Sequence, residues 1–260
     1  MMRFGLCAAP EHLASLRGTG WDFVELPVTQ ALLPERAEGD VLPPLRAALA
    51  DAALLPETWN LLLPGDLRVV GDGVDSARLR RYLDAACARA AGLGARVLVF
   101  GSGGPRRAPD GFPRREARRQ MLEALAAAGD AAAPRGLRVA LEPLNQAECN
   151  HVNTIAEALE YVQSTGHPAL GVLADLYHMT RDGEALTEAR LPGPLLAHTH
   201  VAGEGRRAPR EADGLRLAAF FRVLKEMGYA GRVSVECAWD DLPAQAAGVR
   251  GVLRRAWDAA

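Results

Sequence analysis

Short apolar runs alternate along the chain with longer stretches in which apolar residues recur every three or four positions. The short runs are rich in Val, Leu and Phe and predict β-strands, whereas the longer stretches predict amphipathic helices. The predicted strands span residues 3–8, 23–27, 54–61, 96–100, 137–142, 170–175, 195–201 and 232–236. The predicted helices include residues 76–93, 115–132, 155–164, 215–227 and roughly 242–257.

These elements form eight successive strand–helix units, and such alternation predicts a parallel sheet. Eight units in about 250 residues are typical of a closed (β/α)8 barrel, also called a TIM barrel. The 260 residues contain no linker rich in Gly and Ser, no low-complexity tract and no sequence repeat. The sequence therefore predicts an α/β fold with a single barrel domain over residues 1–260. An open, doubly wound sheet is the alternative.

Composition and charge narrow the classes of function. Lys and Arg total 30 and Asp and Glu total 32, so a net charge of −2 does not favour a nucleic-acid partner. No run of 18 apolar residues predicts a membrane span, and the apolar run at the N-terminus is too short for a secretion signal. The four cysteines show no paired spacing, as expected for reduced thiols, and we therefore expect a cytoplasmic protein.

Polar side chains stand at the carboxyl ends of most predicted strands, where barrels of this kind carry their active sites. Side chains alternate across a strand, so the pattern also predicts where they point. Four rim residues are predicted to point into the barrel: Glu142, Asp175, His200 and Glu236. The same alternation predicts that Ala197 points outward. Glu25 and Asn60 stand at the ends of the second and third predicted strands.

Three carboxylates and one imidazole at the same rim need a shared partner. Crowded carboxylates repel one another and are costly to remove from water. A divalent cation removes that cost, and three oxygen ligands with one nitrogen ligand suit Mn²⁺, Mg²⁺, Co²⁺ or Zn²⁺ rather than a thiolate zinc site. The sequence therefore predicts one bound divalent metal ion. For Glu142 alone, an ion pair with Arg138 is the alternative interpretation.

The other polar residues near this rim have several interpretations. His198 is expected one layer deeper than His200, as a buried histidine that supports the ligand from behind. His178 could be a second metal ligand, a substrate hydrogen-bond donor or a loop residue, and we favour the donor. The arginine-rich stretch 103–119 could bind a phosphate, but an exposed helix start is the commoner interpretation.

The motifs at these strand ends resemble those of the sugar isomerase/epimerase superfamily, whose members are barrels related to xylose isomerase. The matching segments are LEPLNQAECNHVNT (141–154), DLYHM (175–179), HTHVAGEGRR (198–207) and GYAGRVSVE (228–236). The chain looks most similar to the ketose 3-epimerases of the tagatose and psicose group, whose fifth-strand motif also reads LEPLN followed by an EC pair. The chain departs from that group after Arg206, where it reads RRAPREADG instead of a Pro-Gly turn. It is also somewhat shorter, and the distal sugar pocket does not match.

The resemblance implies roles for seven positions, and two of these positions have two roles each. It implies that Glu142 and Glu236 act as the acid/base pair and also bind the metal. It implies that Glu148, His178 and Arg206 bind the oxygens at the carbonyl end of the substrate. The metal set implied by the resemblance is Glu142, Asp175, His200 and Glu236. Mn²⁺ is the preferred ion, the substrate is a small sugar, and the protein is expected to form a homodimer or homotetramer without membrane or nucleic acid.

Our first functional interpretation is a divalent-metal-dependent ketose 3-epimerase that abstracts a proton and forms an enediolate. The alternatives within the superfamily are a keto-sugar or inosose dehydratase and an aldose–ketose isomerase. A distant alternative is an abasic-site DNA endonuclease on the same barrel, which needs extra histidines at the third and fourth strands. Those strand ends carry Trp59 with Asn60 and Phe100 with Gly101 instead. A sugar-binding barrel without turnover would lack one of the paired glutamates, and both are present.

Overall fold

The computed structural model describes residues 2–260 and consists of eight parallel strands that close into a barrel. Each strand pairs with its neighbours in chain order, and the last pairs with the first. The strands are β1 (Arg3–Cys7), β2 (Phe23–Pro27), β3 (Thr58–Asn60), β4 (Val97–Phe100), β5 (Arg138–Leu141), β6 (Leu170–Asp175), β7 (Leu196–Val201) and β8 (Arg232–Val235). The predicted closed (β/α)8 barrel is confirmed, and the alternative of an open sheet is wrong.

Helices follow seven of the eight strands within the described residues. They are α1 (Glu38–Ala52), α2 (Ser76–Gly92), α3 (Gly103–Arg106), α4 (Arg114–Ala132), α5 (Ile155–Thr165), α6 (Leu176–Arg181), α7 (Gly214–Glu226) and α8 (Leu242–Asp258). A 3₁₀ helix, Pro10–Leu16, takes this place after β1, so the first unit lacks the regular helix that eight equal units imply. None of the helices within residues 2–260 combines the length and the hydropathy that a membrane span requires.

Two apolar layers hold the barrel together. The outer layer lies between strands and helices and contains Val139, Leu141 and Val233. The inner layer is small and contains Ala140 of β5 and Leu173 of β6, together with two valines of β4. Residues of one strand therefore face the two layers alternately, as predicted for β5 and β6. This alternation directs the last inward side chain of each strand toward the carboxyl rim.

One irregularity changes the facing of residues in β7. Val172 pairs with Leu196, but the next residue, Leu173, pairs with His198, so Ala197 is an additional residue in β7. Ala197 packs against the inner layer, and the prediction that it points outward is wrong. An added Cβ on the facing Gly171 would lie 2.8 Å from Ala197 Cβ, so the bulge requires glycine there. Beyond the bulge, His198 and His200 both point into the barrel, as predicted.

Candidate active site

Four side chains from neighbouring strands converge at the carboxyl end of the barrel. Glu142 follows β5, Asp175 ends β6, His200 lies in β7 and Glu236 follows β8. One ligand atom from each lies within 4.8 Å of the other three. His200 Nδ1 lies 3.3 Å from Glu142 Oε1, 3.6 Å from Glu236 Oε2 and 3.9 Å from Asp175 Oδ2. The structure thus brings together the four residues predicted as metal ligands, which we call the rim cluster.

The hydrogen bonding of the rim cluster fits a bound cation. Glu142 Oε1 and His200 Nδ1 are buried and have no hydrogen-bond partner among the described residues, and His178 Nε2 beside them has none either. Buried polar atoms normally have partners, so convergent atoms without one are suited to bind a cation. Three carboxylates and one imidazole nitrogen match the preferences of a divalent ion between Mg²⁺ and Zn²⁺. These four residues therefore fit one divalent metal.

Arg138 does not neutralise Glu142. Its guanidinium lies 3.5 Å and 3.4 Å from the carbonyl oxygens of Leu170 and Leu195, toward the amino end of the barrel. Arg138 is the first residue of β5 and Glu142 lies one residue beyond the last, so the two side chains point to opposite ends of the inner layer. The alternative interpretation of Glu142 as a structural partner of Arg138 is wrong.

Burial and the neighbouring positive charges shift the pKa values of the rim cluster in opposite directions. Burial, together with the charge of Glu236, raises the pKa of Glu142. Burial raises the pKa of Asp175 to about 6, although the charge of His200 opposes the shift. Burial also raises the pKa of Glu236, but the positive charges of His200 and Arg206 outweigh it and leave that pKa below its usual range. Without a cation, burial therefore opposes the ionisation of Glu142 and Asp175.

The local sequence orients two of these carboxylates. Asp175 caps helix α6, and its Oδ1 accepts hydrogen bonds from the backbone N–H groups of Tyr177 (2.6 Å) and His178 (3.3 Å), which leaves Oδ2 facing the rim cluster. Glu142 lies against Gly101 at the end of β4. A Cβ at position 101 would stand 1.7 Å from Glu142 Oε2, so only glycine leaves room for the carboxylate.

The three residues predicted to bind substrate surround the rim cluster. His178 is buried, and its Nδ1 lies 2.8 Å from the side-chain nitrogen of Asn145. Its Nε2 lies 4.0 Å from Glu142 Oε1 and 3.8 Å from Asp175 Oδ2, so it points toward the cluster. Glu148 accepts hydrogen bonds of 2.9 Å and 3.0 Å from Arg206. The structure thus places His178, Glu148 and Arg206 together beside the rim cluster.

Arg206 links Glu148 to Glu236 on the outer side of the rim cluster. Besides Glu148, its guanidinium donates to Glu236 Oε2 at 2.7 Å and stacks on the Tyr177 ring at 5.1 Å. The backbone of Arg206 has φ +61°, in the left-handed region. A hydrogen bond of 2.8 Å from Ala238 N to Arg206 O, just beyond β8, holds this conformation. Neither the stacking nor the backbone conformation was predicted.

Two further residues belong to this arrangement, and their contacts were not predicted. Asn60 donates a hydrogen bond of 3.0 Å from Nδ2 to Glu236 Oε1, so both oxygens of that carboxylate have donors. The sequence suggested that Glu25 stands at a strand end, but it lies in the middle of β2, where it is fully buried. It lies beneath the rim cluster and contacts His200 from behind. The only sequence signal for it is a carboxylate between apolar residues in FVELP.

A cavity of about 330 Å³ opens above the rim cluster. Its polar side is formed by Glu142, Glu148, Arg206 and Glu236. Leu61, Leu144 and the glycines that follow β4 also line it. A cavity of this size is at the lower end of the range for small-ligand pockets. The one cation that lines it, among the residues described, is Arg206, which is already paired with two carboxylates.

Comparison with known proteins gives one family and several related enzymes. The profile of the xylose isomerase-like TIM barrel family matches residues 13–256. An L-ribulose 3-epimerase from Methylomonas sp. is 30% identical over 123 residues, which are 47% of this chain and 43% of that protein. An L-ribulose 3-epimerase from Mesorhizobium japonicum is 27% identical over 86% of this chain and 73% of that protein.

Solved structures extend the likeness to the full length. The crystal structure of 3-keto-D-glucoside 4-epimerase from E. coli has a TM-score of 0.80 and 25% identity, and the match covers 98% of this chain and 99% of that one. By contrast, the chain spans less than half of the length of the Methylomonas relative.

Proposed function

The chain belongs to the xylose isomerase-like TIM barrel family, and we propose that it is a divalent-metal-dependent ketose 3-epimerase. The observation that supports this most is the pair Glu142 and Glu236, which come from strands three steps apart and meet at one cluster with unpartnered ligand atoms. The L-ribulose 3-epimerases among its relatives point to the same class of reaction. The proposal includes the metal, the reaction and the roles of the residues.

The chemical problem is a C–H bond beside a ketone, which is a very weak acid. A divalent metal in the rim cluster would supply positive charge for the oxygen on which negative charge develops. The protein must supply a carboxylate within reach of the hydrogen, and a second group that returns a proton. Glu142 and Glu236 are the two carboxylates that meet these needs.

The separation of the two glutamates determines the outcome of the reaction. Proton removal makes the substrate carbon planar, so a proton can return to either face. β5 and β8 are three steps apart in a ring of eight strands, so Glu142 and Glu236 approach the cavity from different sides. One glutamate removes the proton from one face and the other returns a proton to the opposite face. That exchange inverts the carbon and gives an epimer.

The remaining residues bind and orient the substrate. His178 Nε2 has no partner among the described residues and lies within 4.0 Å of both Glu142 and Asp175, so it can bond a substrate oxygen near the reacting carbon. Arg206 and Glu148 offer a donor and an acceptor on the neighbouring wall of the cavity. Together they would hold two adjacent oxygens of the substrate in a fixed position, which lowers the entropic part of the barrier.

A second candidate is a 3-keto-glycoside 4-epimerase. The observation that favours it is the match to the E. coli 3-keto-D-glucoside 4-epimerase over 98% of this chain and 99% of that one. The chemistry is the same, because the abstracted hydrogen again lies beside a ketone, now on C4 instead of C3. Leu61, Leu144 and the glycines that line part of the cavity have no charged side chain that would exclude the substituent of a glycoside.

Proton NMR in D2O tests these assignments. The Mn²⁺- or Co²⁺-loaded protein is incubated with free ketoses, ketose phosphates, inososes and 3-keto-glucosides, and the metal is chelated before acquisition. Deuterium at C3 of a ketose with a new epimer supports the first candidate, and deuterium at C4 of a keto-glucoside supports the second. An aldose product would mean an isomerase, and loss of a hydroxyl group would mean a dehydratase. Absence of exchange in all substrates, from protein with bound metal, would refute the proposal.

A further inference from the structure

We infer that Glu25 is a positioning residue that fixes the protonated nitrogen of His200 and thereby determines the affinity of the rim cluster for its metal. The inference rests on the metal site of the proposed function. It concerns a carboxylate that does not contact the cavity and that the proposed reaction does not use.

Glu25 is the centre of a buried hydrogen-bond network beneath the rim cluster. Its side chain is fully buried and lies in β2, opposite the strands that carry the ligands. Its Oε2 accepts hydrogen bonds from Thr58 (2.7 Å), His198 (2.8 Å) and Ser234 (2.6 Å). Its Oε1 accepts one hydrogen bond, from His200 Nε2 at 3.0 Å. One oxygen therefore anchors the carboxylate to three strands, and the other is reserved for His200.

This division determines which nitrogen of His200 carries a hydrogen. An ionised carboxylate has no hydrogen to donate and accepts at both oxygens. Nε2 of His200 must therefore donate its N–H to Glu25. The other nitrogen, Nδ1, faces Glu142, Asp175 and Glu236 at 3.3–3.9 Å. In the neutral ring that binds a cation, a hydrogen fixed on Nε2 leaves the lone pair of Nδ1 for the cation. A carboxylate behind a metal-binding imidazole commonly has this effect in metal sites.

Burial makes Glu25 necessary for this arrangement. His200 is fully buried, so Nε2 cannot exchange a protein acceptor for bulk water without a cost. The bonds to Oε2 also fix the position of the carboxylate, because Thr58, His198 and Ser234 come from β3, β7 and β8. The imidazole ring is therefore held in both orientation and protonation by a group that is itself held by three strands.

The substitution Glu25→Gln tests the inference with nearly unchanged volume. The amide oxygen is favoured on the side where three donors converge, which turns the amide NH2 toward His200. Nε2 must then accept, and the hydrogen moves to Nδ1, where it points at the rim cluster. Changing a carboxylate to its amide inverts histidine protonation in this way in serine proteases. We expect Mn²⁺ affinity, measured by calorimetry on the folded variant, to fall about 10- to 100-fold.

The matched control is Glu57→Gln. Glu57 is also a buried carboxylate, but it precedes β3 at the amino end of the barrel, where it pairs with Arg3 and Arg232. We expect this variant to lose thermal stability and to bind Mn²⁺ with wild-type affinity. If Glu25→Gln binds Mn²⁺ within about twofold of wild type, the positioning role is refuted while the metal site stands. If the wild type itself does not bind Mn²⁺, the proposed metal site fails and this inference fails with it.

A second measurement covers the case in which Glu25→Gln does not fold. The zinc-loaded wild type, labelled with ¹⁵N-histidine, is examined by proton NMR, and the His200 signal is assigned from its loss in His200→Gln. A slowly exchanging Nε2–H on His200 supports the hydrogen bond to Glu25. An Nε2–H that exchanges rapidly with water would overturn the inference.

Discussion

The contact between Gly101 and Glu142 gives the sharpest test of the proposed chemistry. Gly101→Ala adds one methyl group whose ideal position is 1.7 Å from Glu142 Oε2. Real Cβ atoms essentially never approach another heavy atom within 3.0 Å, so the oxygen or the backbone must move by at least 1.3 Å (3.0 − 1.7). Gly101 has no positive φ, so the backbone tolerates alanine and the effect comes from the collision alone.

The expected loss follows from the size of that displacement. A displacement of about 1 Å of a catalytic group costs about 10²-fold in rate, or about 2.7 kcal/mol of transition-state stabilisation. Complete removal of Glu142 from the reacting carbon would cost up to about 10⁴-fold. We therefore expect kcat/KM of Gly101→Ala to fall by about 10²- to 10⁴-fold. The assay is chromatographic detection of epimer formation with the ketose identified by deuterium exchange, and calorimetry records the accompanying loss of Mn²⁺ affinity.

Gly65→Ala is the control for Gly101→Ala. A Cβ at position 65 would meet no atom within 4 Å, and Gly65 does not line the cavity above the rim cluster. We expect this variant to keep wild-type kcat/KM. If Gly101→Ala stayed folded and kept kcat/KM within about threefold of wild type, Glu142 would not act from its position against Gly101, and the two-carboxylate mechanism would be refuted.

Three further predictions concern the same cluster. Glu142→Gln and Glu236→Gln should each lower kcat by about 10²- to 10⁴-fold without changing the circular dichroism spectrum, and near wild-type turnover in either would contradict the acid/base roles. Arg206→Ala should raise KM about 10- to 100-fold, as expected for lost hydrogen bonds to charged groups, and unchanged KM would remove Arg206 from substrate binding. In the presence of a chelator, burial raises the pKa of Asp175 to about 6, above its unfolded value of about 3.9. Between these two pH values the folded state binds more protons than the unfolded state. The free energy of unfolding of the metal-free protein therefore falls as the pH rises from about 3.9 to about 6. Asp175→Asn, which can still cap α6, should therefore stabilise the metal-free protein on the order of 2 kcal/mol at pH 7 and little at pH 4 in urea titrations, and equal effects at both pH values would contradict this.

The closed barrel and the rim cluster could be predicted because both follow from local patterns. An apolar run fixes a strand, and the polar residue that follows it with the right parity faces the barrel interior. The predicted limits of β2 are those of the structure, and the limits of the predicted α2 and α5 differ by one residue at one end. Glu142, Asp175 and Glu236 each end or follow such a run, so their convergence requires no knowledge of distant contacts.

The prediction failed where the sequence has no local signal. Helix α1 was given no predicted range, and Pro43 and Pro44 lie inside it, where proline normally interrupts a helical pattern. β3 was predicted from residue 54, but it contains only Thr58–Asn60. Leu55 before it is exposed, and Pro56 has no N–H to donate to a neighbouring strand. The steric role of Gly101 depends on a neighbour 41 positions along the chain, which no local pattern contains.

Glu25 illustrates the same limit for the site. The strand pattern placed this carboxylate in the second strand. Its partners, however, are 33 to 209 residues away in sequence: His200, His198, Ser234 and Thr58. Only the closed ring brings the inward side chains of β2 into contact with those of β7 and β8. The burial of a charge in FVELP was therefore visible from the sequence, whereas its function as an acceptor for His200 was not.

The bulge at Ala197 has a consequence for protein engineering. Before the bulge, the residues of β7 alternate between the outer and inner apolar layers in register with β6. After the bulge, the register is offset by one residue, and this offset turns His198 and His200 inward. A designer who transplants the histidine-bearing half of β7 onto another barrel must therefore transplant Ala197 and the facing Gly171 as well. Moving the two histidines alone, into a strand of regular pairing counted from Leu196, would place them on the helix side and leave the barrel interior of the recipient without an imidazole.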